Sequence, residues 1–125
     1  MKEKSKKKLK YQNKQKTYET KDYSNWKYLL KRRIGKNDII WGVGGKGVML
    51  LNLLRLDYLT MPKVIDVNTN LNHKYIPITG NQIVAPSEID FRDVDTVHVS
   101  NILYLEEITS NLEKYQHIKI KQLIK

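Results

Sequence analysis

The segment Asn37-Asp38-Ile39-Ile40-Trp41-Gly42-Val43-Gly44-Gly45-Lys46-Gly47 decides the fold of this chain. It sets the pattern G-x-G-x-x-G between an apolar run that predicts a strand and a run over 48–56 that predicts a helix. In such a turn the glycines permit a sharp reversal, room for a ligand and close packing of helix on strand. Backbone N–H groups at the helix start, together with the helix dipole, favour an anion such as phosphate. The predicted phosphate-binding residues of the turn are Gly42, Gly44, Gly45, Lys46 and Gly47.

A second predicted strand, over 63–67, carries an acidic residue where a dinucleotide-binding βαβ unit needs one. Asp66 lies about 20 residues beyond the glycines, the spacing at which a carboxylate binds ribose. Capping of the local turn is the alternative role for this side chain. The same glycines do not form a P-loop, because Lys46 is followed by Gly47 rather than by Ser or Thr.

Strands and helices alternate along the rest of the chain. Further strands are predicted at 83–86, 96–100 and 118–120, helices at 23–34 and 104–112, and a helix start capped by Ser87 at 86–90. The alternation predicts an α/β protein with a Rossmann-like, three-layer fold and a mostly parallel sheet of about 4–5 strands. Right-handed crossovers then bring the glycine turn, Asp66 and Asn68 together at the carboxyl edge of the sheet.

Positive charge is concentrated at the amino-terminal end. The net charge is +10, and residues 1–16 hold eight lysines and one acidic residue, so +7 of it lies there. A segment of this composition buries too little apolar surface to offset its ordering entropy. We therefore expect a disordered basic tail over 1–20 and one folded domain over 21–125. The lysines from Lys2 to Lys16 either bind an anionic partner such as nucleic acid or form a solvated terminus.

Composition excludes several kinds of chemical site and indicates a cellular compartment. The sequence has no cysteine, which excludes disulfides, thiolate metal sites and a thiol nucleophile, and the expected compartment is the cytoplasm. No apolar run approaches 18 residues and no secretory signal is visible, so we expect no membrane span. The three histidines, His73, His98 and His117, are separated along the chain and predict no metal site, with His98 a half-buried strand residue.

The glycine turn, the block from Asp66 to Val84 and the segment from Asn101 to Ile108 together resemble the C-terminal domain of the sugar C-methyltransferases. The most specific part is the Asp66 block, with Asp66-Val67-Asn68, Lys74-Tyr75-Ile76-Pro77, Thr79-Gly80 and Ile83-Val84. The resemblance covers roughly residues 25 to 120. In that family the full enzyme has a zinc-binding region, a central S-adenosylmethionine domain and this Rossmann-like domain, with the nucleotide sugar between the last two.

The resemblance implies a domain that binds a nucleotide sugar or a related phosphorylated ligand. It adds Asn68, Lys74, Tyr75 and Asn101 to the ligand-binding residues. Glu106 and Glu107 are candidate acid–base groups, or else carboxylates that favour the first turn of a helix. S-adenosylmethionine is then supplied by a separate domain or a methyl-donor-binding protein. The resemblance thus implies a methyltransferase-related chain that is not catalytically complete alone.

Two departures from the family pattern concern backbone conformation. His73 and Ile78 stand where the family has glycines, so the loop need not follow the family's path.

Two other functions remain open on the sequence. One is a free-standing Rossmann-like nucleotide or dinucleotide binder, which the spacing from Gly42 to Asp66 supports. The other is a binder of nucleic acid through the lysine-rich tail.

Overall fold

The computed structural model describes residues 34–123. The predicted basic tail, its boundary at residue 20 and all but the last residue of the helix predicted at 23–34 lie outside this range. Within it, the elements follow the predicted alternation. The strands are β1 (Asp38–Trp41), β2 (Lys63–Ile65), β3 (Gln82–Val84), β4 (Thr96–Val99) and β5 (Lys119–Gln122), and the α-helices are α1 (Gly45–Leu53) and α2 (Leu105–Asn111).

The five strands form one sheet in the order β3-β2-β1-β4-β5, and every pairing is parallel. The chain moves outward from β1 to β3 and then returns past β1 to β4 and β5. Because parallel crossovers are right-handed, the connections on the two sides of β1 lie on opposite faces of the sheet. The predicted α/β, Rossmann-like, three-layer fold is confirmed, and the sheet has five strands.

The sheet is buried on both faces in its centre. On one face, Trp41 and Val99 pack against Phe91 and Ile108, and the rings of Trp41 and Phe91 stack with centroids 6.2 Å apart. Alternation along the strand directs Ile40, which is fully buried, to the other face, where the crossover places α1. All four residues of β4 are buried, as expected of a central strand in a parallel sheet.

The observed helices differ from the predicted ones at their first residues and at one predicted cap. The first helix begins at Gly45 rather than at residue 48, because the glycine turn itself supplies the first helical turn. Ser87 is not a cap: Pro86 to Glu88 form a short 3-10 turn whose capping position is Ala85. The helix predicted over 104–112 spans Leu105–Asn111 and follows a 3-10 turn over Ile102–Tyr104. No helix within residues 34–123 is long and apolar enough to cross a membrane.

Candidate phosphate-binding site

The first glycine of the turn, Gly42, is required by packing. Its φ is 104°, a region that L side chains rarely adopt, and an added Cβ would overlap the Tyr104 ring and lie 2.6 Å from Ser100 Oγ. Its N–H donates to the Ile65 carbonyl at 2.7 Å, and its own carbonyl accepts from Ser100 Oγ at 2.8 Å. The turn is therefore attached to β2 on one side and to the end of β4 on the other.

The last glycine of the turn, Gly47, is also required by packing. A Cβ at this position would overlap the carbonyl oxygen of Gly42. Gly47 is buried within the first turn of α1, so the helix passes against the end of β1 at backbone contact distance. This is the close helix–strand approach that a third glycine in the pattern allows.

The two glycines between them, Gly44 and Gly45, are exposed and are not required by packing. An added Cβ at Gly45 would meet no atom within 4 Å, and one at Gly44 would meet only the Tyr104 hydroxyl, at 3.4 Å. Gly44 has φ −68° and ψ −166°, which other residues adopt readily. The space above these two glycines is open to solvent.

The start of α1 presents backbone donors to that space. The first N–H groups of an α-helix have no intrahelical partner, and those of α1 are at Gly45, Lys46 and Gly47. No side chain of the described residues caps the helix, and its first turn contains no acidic residue. Lys46 is exposed beside these donors and adds a positive charge. The arrangement suits an anion held by backbone N–H groups and the helix dipole.

Asp66 holds the turn against β2. One carboxylate oxygen accepts from the Val43 N–H at 2.9 Å and the other from the Asn68 N–H at 2.9 Å. The residue is 8% exposed, so these two backbone partners satisfy a largely buried carboxylate. Asp66 therefore does cap the local turn, the second of the roles considered for it. Asn68 in turn accepts from the Asn70 N–H at 3.0 Å and is itself exposed.

Tyr104 covers the turn from the β4 side, and sequence analysis did not include it among the site residues. Its ring lies against Gly42 and its hydroxyl lies near Gly44. Burial raises the pKa of the Tyr104 phenol, and the negative charges of Asp66 and Glu107 raise it further. Tyr104 is thus a neutral hydroxyl beside the open glycines. The only sequence signal for it is its place in the resemblance to the methyltransferase domain.

Three predicted site residues follow β4, and two of them have local hydrogen-bonding roles in the structure. The Asn101 side chain accepts from the Leu103 N–H at 3.1 Å and so caps the 3-10 turn that carries Tyr104. Glu107 accepts from the Trp41 indole N–H at 3.1 Å. Glu106 is exposed. Both glutamates lie in the first turn of α2, the position considered as the alternative to acid–base chemistry.

The structure does not bring Lys74 and Tyr75 to the glycine turn. The Lys74 carbonyl accepts from the Ile83 N–H at 2.8 Å, and Tyr75 pairs antiparallel with Gln82, the first residue of β3. These residues therefore run along the outer edge of β3 near its amino end, two strands away from β1. The resemblance to the methyltransferase domain added them to the ligand-binding residues, but their loop runs back along β3.

The loop has left-handed backbone angles at two residues that are not glycine. His73 has φ 66° and Ile78 has φ 73°. Both values lie in the left-handed region that glycine favours and a β-branched residue avoids. His73 is held by a 2.6 Å contact between its Nε2 and Glu88 Oε1, whereas Ile78 is 95% exposed.

A buried polar pair lies within the sheet. His98 Nε2 and Asp38 Oδ2 are 2.8 Å apart, and their side chains are 1% and 6% exposed. The prediction that His98 is half-buried is wrong, because β4 lies between β1 and β5 under cover on both faces. Burial lowers the pKa of His98, and Lys121 lowers it further, while the bond to Asp38 opposes both. Among residues 34–123, no three His, Asp or Glu side chains are grouped as a metal site.

The strand order, the right-handed crossovers and the glycine turn at the carboxyl end of β1 define a Rossmann-like α/β domain with an open helix N-terminus. A family model described as C2185-like, N-terminal, matches residues 35–124 of the chain. The chain therefore belongs to the C2185-like N-terminal family. Searches of curated proteins and of solved structures find no significant match to it.

Proposed function

We propose that this domain binds a nucleotide sugar, or a related phosphorylated small molecule, through its phosphate at the glycine turn. The observation that carries the proposal is the contrast among the glycines. Packing requires Gly42 and Gly47, but it does not require Gly44 or Gly45. Gly44 is the N-cap of α1, where glycine is favoured over alanine, but Gly45 lies inside the helix, where glycine is less favourable than alanine by up to about 1 kcal/mol. A ligand that approaches the backbone of α1 at this point gives a reason for a glycine at position 45.

The choice of ligand class rests on the resemblance to the sugar C-methyltransferase domain. The positive φ values of His73 and Ile78 support it, since they reproduce glycine conformations at two positions of that family's loop. On this proposal the chain is a substrate-binding domain, and the methyl donor belongs to a separate domain or protein. The lack of cysteine is consistent with our further proposal of a cytoplasmic location.

Titration with a uridine or thymidine diphosphate sugar, with NAD and with S-adenosylmethionine tests the proposal. Backbone amide chemical shifts report the site directly. We expect the nucleotide sugar to shift the amides of Gly44, Gly45 and Gly47 and S-adenosylmethionine to leave them in place. The proposal is wrong if no phosphorylated probe shifts these three amides.

Gly45→Ala separates a ligand role from a structural one. The added methyl group meets no protein atom, and alanine favours the helix, so we expect the free energy of unfolding to rise by up to about 1 kcal/mol. The same methyl group occupies the space above the helix start, so affinity for the nucleotide sugar should fall. A variant that is more stable and binds equally well would show that the ligand does not approach Gly45.

A dinucleotide such as NAD is the second candidate ligand. The strand order of the sheet and the position of Asp66 at the end of β2 favour it. Both carboxylate oxygens of Asp66 already accept from backbone N–H groups, which weakens the case for ribose binding. Shifts of the Asp66 and Asn68 amides on addition of NAD, larger than those with the nucleotide sugar, would favour this candidate.

The lysine-rich segment supports a separate proposal, binding of nucleic acid, through its charge of +7. Deleting residues 1–16 should abolish such binding and its salt dependence. Binding at the glycine turn should survive the deletion. Equal affinity for nucleic acid with and without these residues would exclude the segment as the contact.

A further inference from the structure

An apolar groove runs along α2 and the 3-10 turn before it, with an open volume of about 610 Å³. Its apolar lining consists of Ile102, Leu103 and Leu105. Its polar lining consists of Glu106, Thr109, Ser110 and Glu113. The groove lies on the outer side of α2, since Ile108 and Leu112 on the same segment pack into the core.

The three aliphatic side chains of the groove are exposed and lie close to one another along the chain. Ile102 is 54%, Leu103 82% and Leu105 36% exposed. None belongs to the hydrophobic core under α2, to which Tyr104 and Ile108 contribute instead. Packing among residues 34–123 therefore does not account for apolar residues at these positions. Clustered exposed apolar side chains with a polar rim are typical of a surface that binds a partner.

The backbone that carries Leu103 is fixed. Asn101 accepts from the Leu103 N–H through its side chain at 3.1 Å and from the Tyr104 N–H through its carbonyl at 2.9 Å. Tyr104 is anchored against Gly42 on the inner side. Leu103 is consequently held outward, so a partner that buries it does not have to order this turn first.

The charge of the groove is opposite to that of the chain. Both charged residues that line it, Glu106 and Glu113, are acidic, and no Lys or Arg is among its described lining residues. The chain as a whole carries +10. A second copy docked groove to groove would oppose glutamates with glutamates, which disfavours a symmetric contact. Lysine or arginine on the partner would complement this rim.

We propose that this groove docks a partner polypeptide segment with aliphatic or aromatic side chains on one face and lysine or arginine at its flanks. The apolar face covers Ile102, Leu103 and Leu105, and the basic flanks lie beside Glu106 and Glu113. An amphipathic helix laid into a groove is a common form of such recognition. The inference does not depend on phosphate binding at the glycine turn.

Fluorescence anisotropy with two labelled peptides tests this proposal on the full chain. One peptide carries leucines on one helical face and lysines on the other, and its counterpart carries glutamates in place of the lysines. Binding at the groove is taken as the part that Leu103→Ser removes, because the lysine-rich segment also attracts a glutamate peptide. For that part, we expect the lysine peptide to bind and the glutamate peptide to bind at least about tenfold more weakly. Equal binding of both peptides, or of neither, would overturn the proposal.

Substitutions in the groove make the test specific. Leu103→Ser, at an 82% exposed position, should leave the fold intact and weaken the lysine peptide about tenfold. Leu59→Ser is the matched control, because Leu59 is 75% exposed and lies outside the groove. Joint substitution Glu106→Lys and Glu113→Lys should reverse the preference between the two peptides.

Two outcomes would refute the groove as the docking site. In one, Leu103→Ser and Leu59→Ser weaken the lysine peptide equally. In the other, Leu103→Ser abolishes a concentration-dependent dimer seen by sedimentation velocity and leaves peptide binding unchanged, which would assign the groove to a second copy.

Discussion

Replacing Ile78 by glycine should stabilise the domain, although it removes a large apolar side chain. Ile78 has φ 73° and is 95% exposed, so the side chain contributes strain and almost no burial. A non-glycine residue in the left-handed region costs about 1–2 kcal/mol, with a β-branched residue toward the upper end. Relief of this strain stabilises the folded state. Glycine also raises the entropy of the unfolded chain, which offsets about 0.5–1 kcal/mol of the gain.

The net expectation is a rise of about 0.5–1 kcal/mol in the free energy of unfolding. For a domain of this size the midpoint of thermal unfolding should rise by about 2–8 °C. Urea denaturation followed by circular dichroism measures the change, provided that the m value is the same for both proteins.

The control is Leu59→Gly, at a position that is 75% exposed and has no positive φ. It should lower the free energy of unfolding by about 0.5–1 kcal/mol, because only the entropic cost of glycine applies. Ile78→Ala retains a Cβ and should gain less than Ile78→Gly. A loss of stability in Ile78→Gly similar to that in Leu59→Gly would refute the assignment of backbone strain to this loop.

Three further predictions concern the sheet and the turn. Gly47→Ala should lower the free energy of unfolding by about 1–3 kcal/mol, because its methyl group overlaps the Gly42 carbonyl; urea denaturation measures the loss. Asp66→Asn should cost about 1–3 kcal/mol and speed hydrogen exchange of the Val43 amide, since an amide side chain cannot accept from both backbone partners through two oxygens. Burial lowers the pKa of His98 in the folded state. Between that lowered pKa and the ordinary value of 6.5, the unfolded chain therefore binds a proton that the folded chain does not. Unfolding titrations should therefore show stability falling as the pH drops through that value, and less steeply in His98→Gln.

The sequence predicted the elements of the sheet better than the contacts of the site. The glycine turn is a local pattern, and its strand and helix flanks follow from apolar runs beside it. Strand bounds were accurate to within one or two residues, as for β4, predicted over 96–100 and observed over Thr96–Val99. Strand and helix bounds depend mainly on residues that are close along the chain, so they can be predicted from local sequence patterns.

Contacts between distant residues could not be predicted in the same way. Ser100 lies 58 positions from Gly42 and has no feature that marks it as a donor to the turn. Lys74 and Tyr75 were added to the ligand-binding residues by the resemblance to the methyltransferase domain, whereas their loop runs back along β3. The left-handed angle at Ile78 is opposed to the preference of isoleucine, so residue type alone points the wrong way.

Trp41 lies next to the glycine turn, so its intrinsic fluorescence can report ligand binding there. The indole is fully buried, ends the strand that leads into Gly42 and donates to Glu107, a residue of the helix that follows the Tyr104 turn. The sequence has one other tryptophan, Trp26, so Trp26→Phe leaves a single emitter. Any ligand that displaces Tyr104 or Glu107 changes the surroundings of that emitter. Binding of such a ligand can therefore be followed by intrinsic fluorescence, without a label.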